Sequence, residues 1–394
     1  VIFKRMLYAL TAFFDKDSLD EKMILPFQNE ILGIIQMGLD PPGNSYEIYD
    51  LTIRVLDCFI VSLSDQSILY TIYQKMFSVL IQLKKHNLND VVIVKIRETL
   101  NIVNSICRNN RFHLKEQDLS NLFGIISELL DTNKNVYEDC LTCLIIMIKK
   151  FGVNSEAVLQ RIMAITPDSL ESQSPSVITK MIVTIGYLYK YYYKKNEYTL
   201  HSMLIDEIPN YVQMILRFLN DENTNFTREF YPPLLISLAR ILSTATELVN
   251  YEQTQEIMAL YFHFAQKDIN VKDVYEVEFG NEIYQAIFAG LIVILKIYSN
   301  QNPEAKKELT TKDNCRKLIS YVPSIFQKFP KYTDKSLKQY CKYFLELKAF
   351  LRFRGNALLR KDITFIPLLY AFTYLTSSKD RHLLEETIKE ILKA

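Results

Sequence analysis

The 394-residue chain repeats one phrase from end to end: an amphipathic helix, a short polar break, a second amphipathic helix, then a longer break. Helix-opening signals fall near Tyr46, Asp90, Asn135, Ser176, Phe226, Tyr275 and Asp334, each followed by a partner helix. Successive openings lie 44, 45, 41, 50, 49 and 59 residues apart. A helix pair of this length cannot bury its own apolar face, so each pair must be covered by its neighbours along the chain. The pattern therefore excludes a fold built around one pocket and leaves an extended surface suited to holding another macromolecule.

Local periodicity supports the helices. Val92, Ile96, Leu100, Val103 and Cys107 form one stripe, as do Ile72, Met76, Val79 and Leu83, and Leu337, Tyr340, Phe344, Leu347 and Leu351. No stretch keeps a period of two, so no strand is expected. Only nine glycines occur, too few for the turns and phosphate loops of open α/β folds. The expected fold is all-α, an α-α superhelix of the HEAT or armadillo type, a single solenoid of about eight helix pairs over 1–394. Second helices are expected at roughly 66–87, 115–131, 154–165, 199–220, 250–267, 312–329 and 356–373. Asp40 to Ser45 breaks the helix with two prolines and a glycine. Asn135 is the expected N-cap of the next helix, with Glu138 at N3, and Thr166 to Ser176 reads as a polar link. Pro26, Pro209, Pro232, Pro233, Pro323 and Pro367 fall inside apparent helices and are expected to kink or restart them. Val1 already reads as helix, so the sequence is taken as a fragment lacking N-terminal repeats.

The formal charge of +1 conceals a gradient. Residues 200–290 carry thirteen acids against five bases, and residues 306–394 carry nineteen bases against nine acids. A basic end could touch RNA or anionic lipid; solvated helix faces of opposite bias are the simpler account of both. Six scattered cysteines suit reduced thiols. No leader pattern opens the chain, and no apolar run reaches the roughly 18 residues of a membrane span. Cys140 and Cys143 form a CxxC in mid-helix with no second CxxC or nearby histidine, which favours core packing over metal or redox work. The histidines (His86, His113, His201, His263 and His382) are dispersed, and no nucleotide or nucleophile motif occurs. No catalytic, cofactor-binding or metal-binding residue is expected. The run Tyr187 to Tyr198 interleaves tyrosines and lysines, either a stacking surface for nucleic acid or, more simply, a helix end with lysines extended over half-buried rings.

Two segments carry a resemblance. Asn135 to Leu144, following Asp118 to Leu130, is similar to a helix opening in the importin-β family of nuclear transport receptors. Phe230 to Leu242, continuing through Ala265-Gln266-Lys267-Asp268 to Tyr275-Glu276-Val277-Glu278-Phe279, is similar to a later helix, turn and acidic link of that family. The resemblance implies the C-terminal half of an import receptor without catalysis, present in cytoplasm and nucleus and at the nuclear pore. Second helices would line a concave side that grips the basic segment of the adaptor importin-α, or cargo. First helices would offer apolar slots to the FG repeats of nucleoporins, and Ran-GTP would bind mainly through N-terminal repeats not represented here. An acidic concave wall suits a basic helical ligand. Asp118, Glu128, Asp206, Glu207, Glu252 and Glu256 are the candidate contacts, although acids near helix starts also simply suit the helix dipole. The chain lacks the tryptophans the family uses against adaptor arginines, leaving Tyr and Phe for cation–π contacts. Two other readings remain open: a different HEAT scaffold, such as a regulatory subunit or vesicle-coat adaptor, and an RNA-binding helical repeat.

Overall fold

The structure is a computed structural model that describes residues 2–14, 25–39, 45–86, 89–132, 134–152, 156–171, 174–192, 207–220, 228–244, 249–266 and 274–301, with 304, 381, 382, 385 and 389. Among the described residues there are thirteen α-helices and no strand. They are α1 (Ile2–Phe14), α2 (Gln28–Gly38), α3 (Tyr46–Val61), α4 (Gln66–Lys84), α5 (Asp90–Arg108), α6 (Glu116–Thr132) and α7 (Tyr137–Lys150). Then follow α8 (Glu156–Leu170), α9 (Pro175–Tyr192), α10 (Ile208–Asn220), α11 (Tyr231–Thr244), α12 (Tyr251–Gln266) and α13 (Val274–Gln301). The chain forms two compact units, Val1–Thr184 and Ile185–Ala394, divided within α9.

In the first unit the helices stack as an α-α solenoid in two rows. First helices α1, α3, α5 and α7 pack in succession, second helices α4, α6 and α8 do the same, and α2, α4 and α6 each rest on the first helix of the next pair. A helix with neighbours on several sides needs more than one apolar stripe. In α5 the buried apolar set is Ile93, Ile96, Leu100, Ile102, Val103, Ile106 and Cys107, joined by buried Thr99 and Asn104. Val92, expected in the stripe, is half-buried, and Ile93 takes the core position. The α4 stripe of Ile72, Met76, Val79 and Leu83 is buried as its spacing requires. Burying each such side chain contributes about 1.5–3 kcal/mol.

Helix ends follow local chemistry. The Asp65 carboxylate accepts from the Ser67 and Ile68 amides at the start of α4, and Asn89 accepts from the Val92 amide at the start of α5. At the end of α7, Gly152 adopts φ 77° and its amide bonds Met147 O at 3.1 Å, a left-handed cap that favours glycine. The Asn135 cap is not realised. Lys134–Val136 forms a 3-10 turn that runs directly into α7, so the cap position falls on Val136. Nor does the chain break at Thr166. The helix continues through Pro167 to Leu170, with the buried Thr166 and Ser169 hydroxyls donating back to Ile162 O and Ile165 O.

The link between the two helices of a repeat is anchored rather than loose. Phe112, in the α5–α6 link, is fully buried against Tyr73 at 5.7 Å between ring centroids. Asn109 donates to Leu63 O at 3.0 Å, fixing the same link to the preceding repeat.

In the second unit α10 packs on α11, α12 on α13, and α11 on α13, the same row logic. Pro209, Pro232 and Pro233 lie in the first turns of α10 and α11, where the missing amide hydrogen has no helical partner to lose; a 3-10 turn, Arg228–Phe230, precedes α11. Tyr275 to Phe279, expected as a link, belongs to the first turns of the 28-residue α13. The helices expected from Asp334, at 312–329 and at 356–373, the Leu337 to Leu351 stripe, and Pro323, Pro367, Cys315 and Cys341 lie outside the described residues, as do Asp40 to Asn44 and Tyr193 to Tyr198.

Candidate partner-binding surface

Stacking places equivalent positions of consecutive repeats side by side, and polar side chains use that proximity. Along the first-helix row, Lys4 pairs with Glu47, and the neighbouring Tyr46 hydroxyl donates to Glu98 at 2.8 Å. Beside Glu98, Arg97 donates to Asp139 at 2.9 Å, and beside Asp139, Glu138 accepts from Lys180 at 2.7 Å. Each helix thus hands one residue backward and its neighbour forward, giving a continuous polar seam from α1 to α9 within the first unit. A second line of bonds joins Tyr49 to Thr99 at 2.5 Å and Ser105 to Asp57 at 2.8 Å.

The seam perturbs its members in opposite directions. Partial burial pushes the Glu98 carboxyl up, outweighing the Tyr46 hydrogen bond that favours its charge. The same contact raises the Tyr46 hydroxyl to about 12. Burial also opposes ionisation of Glu138, but hydrogen bonds from Lys180 and Ser176 and the nearby charges of Lys180 and Arg97 prevail and hold it below the ordinary carboxylate range. The seam escaped sequence reading because each partner lies 42–52 residues away. Adjacent polar pairs recurring 41–51 residues apart on successive first helices (Tyr46-Glu47, Arg97-Glu98, Glu138-Asp139) are the signal that marks it.

The six candidate acids occupy different settings. Asp118 accepts from the Tyr70 hydroxyl at 2.8 Å, and its backbone carbonyl lies 3.3 Å from the Tyr73 hydroxyl. Glu128 is exposed and pairs with Lys84. Both therefore tie α6 to α4. Glu207 precedes α10, where its carbonyl accepts the Tyr211 amide and its carboxylate accepts from Asn210 at 3.1 Å. Asp206 lies outside the described residues. Glu252 and Glu256 are exposed one turn apart on α12, a helix with no Lys or Arg. The Asn250 side chain accepts the Gln253 amide at 2.8 Å and Gln253 reaches back to the Asn250 amide, a reciprocal cap that fixes where α12 begins. The Asn250-x-x-Gln253 spacing is the sequence signal for this cap.

Cys107, Cys140 and Cys143 are fully buried. Burial pushes all three thiols up, Cys107 to about 12, which suppresses the thiolate needed for metal or redox chemistry. At the Tyr187 run, the Arg240 guanidinium lies 4.0 Å from the Tyr187 ring centroid and bonds its hydroxyl at 3.1 Å, while Tyr189 is buried against Tyr211. Those rings belong to the repeat packing. Among the described residues no group of three or more His, Cys, Asp or Glu could hold a metal ion, and no helix is long and apolar enough to cross a membrane.

No protein-family model matches the sequence, and neither does any curated protein. Solved structures do match. The structure of yeast importin-β (Kap95p) superposes with a TM-score of 0.73 at 14% identity, covering 100% of this chain and 46% of that one. Kap95 in its complex with Nup1 gives 0.70 at 14% identity, covering 94% and 43%. A crystal structure of importin-β gives 0.67 at 12%, covering 94% and 44%. The chain is thus similar in fold to importin-β and spans less than half the length of the structures it matches. The fold is that of a helical-repeat solenoid.

Proposed function

We propose that this chain is part of a nuclear import receptor of the importin-β type. It binds importin-α or basic cargo along its second helices and nucleoporin FG repeats along its first helices, without catalysis. The observation that carries the reading is the fold likeness to yeast importin-β across the whole chain, together with the family-like segments at 135–144 and 230–242. A solved likeness to Kap95 in complex with Nup1 favours protein partners of that kind. This reading keeps residues 1–394 as one solenoid of about eight pairs and places the protein in cytoplasm, nucleus and nuclear pore. Ran-GTP binds mainly through other repeats.

The acids sort into two roles. Glu252 and Glu256 stand exposed on a helix without Lys or Arg and meet Lys and Arg of an incoming helix; Glu207, just before α10, and Asp206, outside the described residues, are the further candidate contacts. Asp118 and Glu128 contribute field while holding α4 to α6. Pull-down of the full chain with the basic importin-α segment tests the proposal, with binding expected to weaken steeply as salt rises. Absence of salt-sensitive binding removes the adaptor reading, and fluorescent protein that never gathers at the nuclear rim removes the transport reading.

A further inference from the structure

The polar seam gives the first helices a common register. On each of them one residue reaches forward and the next reaches backward: Tyr46 and Glu47 on α3, Arg97 and Glu98 on α5, Glu138 and Asp139 on α7. Residues one, four and eight positions after the backward member share its side of the helix, the side turned to the preceding first helix. On α5 these are Thr99, Ile102 and Ile106, and Thr99 meets Tyr49 of α3. On α7 they are Cys140, Cys143 and Met147. All six are buried.

α1 carries the same arrangement with that side open. Lys4 is its forward member, paired with Glu47, so Arg5 takes the backward place. Counted from Arg5, the matching side holds Met6, Ala9 and Phe13, with Ile2 one turn earlier. Ile2 is 85% exposed and Phe13 42%, Ala9 is exposed and Met6 half-buried. Arg5 is exposed as well and has no ion pair among the described residues. On the opposite side Leu7 and Phe14 are buried, Phe14 lying 5.7 Å from Phe59 of α3 between ring centroids. α1 thus has two apolar sides, as an inner helix of a stack requires, whereas the outer side of a terminal cap is polar. Charge narrows what fits the open side. The other basic members of the seam each meet a carboxylate: Lys4 meets Glu47, Arg97 meets Asp139 and Lys180 meets Glu138. α1 itself contains no Asp or Glu, so a second copy packed α1 on α1 leaves Arg5 unmatched.

We propose that the open side of α1 seats the first helix of a further repeat, with an apolar stripe over Ile2, Met6, Ala9 and Phe13 and an Asp or Glu at its forward seam position, facing Arg5. The seat is the side on which first helices pack on one another, distinct from the second helices and from the outer faces assigned to nucleoporin repeats. It does not depend on the import reading.

α7 is a helix of the required kind, since its Glu138 meets Lys180 from 42 residues away. A copy of residues 134–175 joined directly before Val1 sets its glutamate the same 42 residues from Arg5. Amide hydrogen exchange is then compared between the full chain and the extended one. Exchange across Ile2–Phe14 should slow about tenfold or more when the added pair is present. Arg5→Glu should lose about threefold of that protection in the extended chain and leave α1 exchange in the parent chain unchanged. Glu138→Lys in the copy should then restore the protection, because the pair is matched again with reversed charges. Unslowed exchange of α1, an equal effect of Arg5→Glu in both chains, or failure of the reversed pair to rescue overturns the proposal. So does a parent chain that dimerises and becomes monomeric on Phe13→Lys, which assigns the side to a second copy. A failed adaptor pull-down does not touch it.

Discussion

Gly290→Ala offers the sharpest test of the packing in the second unit. In a helix, glycine to alanine ordinarily stabilises by about 1 kcal/mol. At position 290 the added Cβ falls on the Tyr261 ring carbons Cε1 and Cζ. That ring is fully buried, and its hydroxyl donates to Leu235 O at 2.7 Å, joining α12 to α11 under α13. The ring must shift, which loses about 1 kcal/mol of hydrogen bonding and adds roughly 1–3 kcal/mol of overpacking. Set against the propensity gain, the variant should be destabilised by about 2 kcal/mol. With no Trp in the chain, far-UV circular dichroism in urea is the suitable readout, with hydrogen exchange of α13 locating the effect. In a Tyr261→Leu background the clash disappears, so the same substitution should turn neutral or stabilising, a coupling of about 3 kcal/mol. Stabilisation of the otherwise native chain by Gly290→Ala would refute the close approach of α13 to Tyr261.

Other consequences are independent of that site. Glu98 has a raised pKa in the fold, so the native state binds more protons than the unfolded chain just above the ordinary carboxylate range, and stability falls as pH rises through that window. Glu98→Gln should therefore stabilise the fold at pH 7, with no gain in acid; a loss at pH 7 refutes the assignment. Glu138 has the opposite sign: its lowered pKa gives stability that is present above the unfolded value and lost as pH falls through the folded one. Glu138→Gln should thus cost stability at neutral pH and little in acid, measured by urea unfolding at both pH values. Native alkylation followed by mass spectrometry should spare the buried Cys107, Cys140 and Cys143 until the chain unfolds, and rapid labelling of Cys143 would contradict its burial. Charge reversal at Glu252 and Glu256 together should weaken binding of a basic adaptor segment about tenfold or more at low salt, with the melting temperature little changed.

What the sequence revealed depended on how local each determinant is. Openings expected at Tyr46 and Asp90 are realised at those residues, because a stripe and a cap are properties of one helix. The expected break at Thr166 failed because Ile162, Ile165, Thr166 and Ser169 are buried by packing, with the two hydroxyls satisfied on carbonyls of their own helix, which local composition cannot reveal. The prolines expected inside helices at 209, 232 and 233 lie instead in the first turns of α10 and α11, where a missing amide hydrogen costs least. Of the candidate acids, spacing could place Glu252 and Glu128 near second helices. It could not show that Lys84 engages one while the other stands exposed on a helix lacking bases.

The amino-acid sequence by itself determined an all-α repeat: the periodicity of apolar residues and the scarcity of glycine suffice, because both act within a few turns of chain. Only the tertiary structure decided how successive repeats meet. Tyr46 finds Glu98 across 52 residues, Arg97 finds Asp139 across 42, and Gln66 finds the His113 main chain across 47. Such partners are set by the offset with which one helix pair seats on the next. That offset follows from the summed shapes of many buried side chains, so no short stretch of sequence contains it.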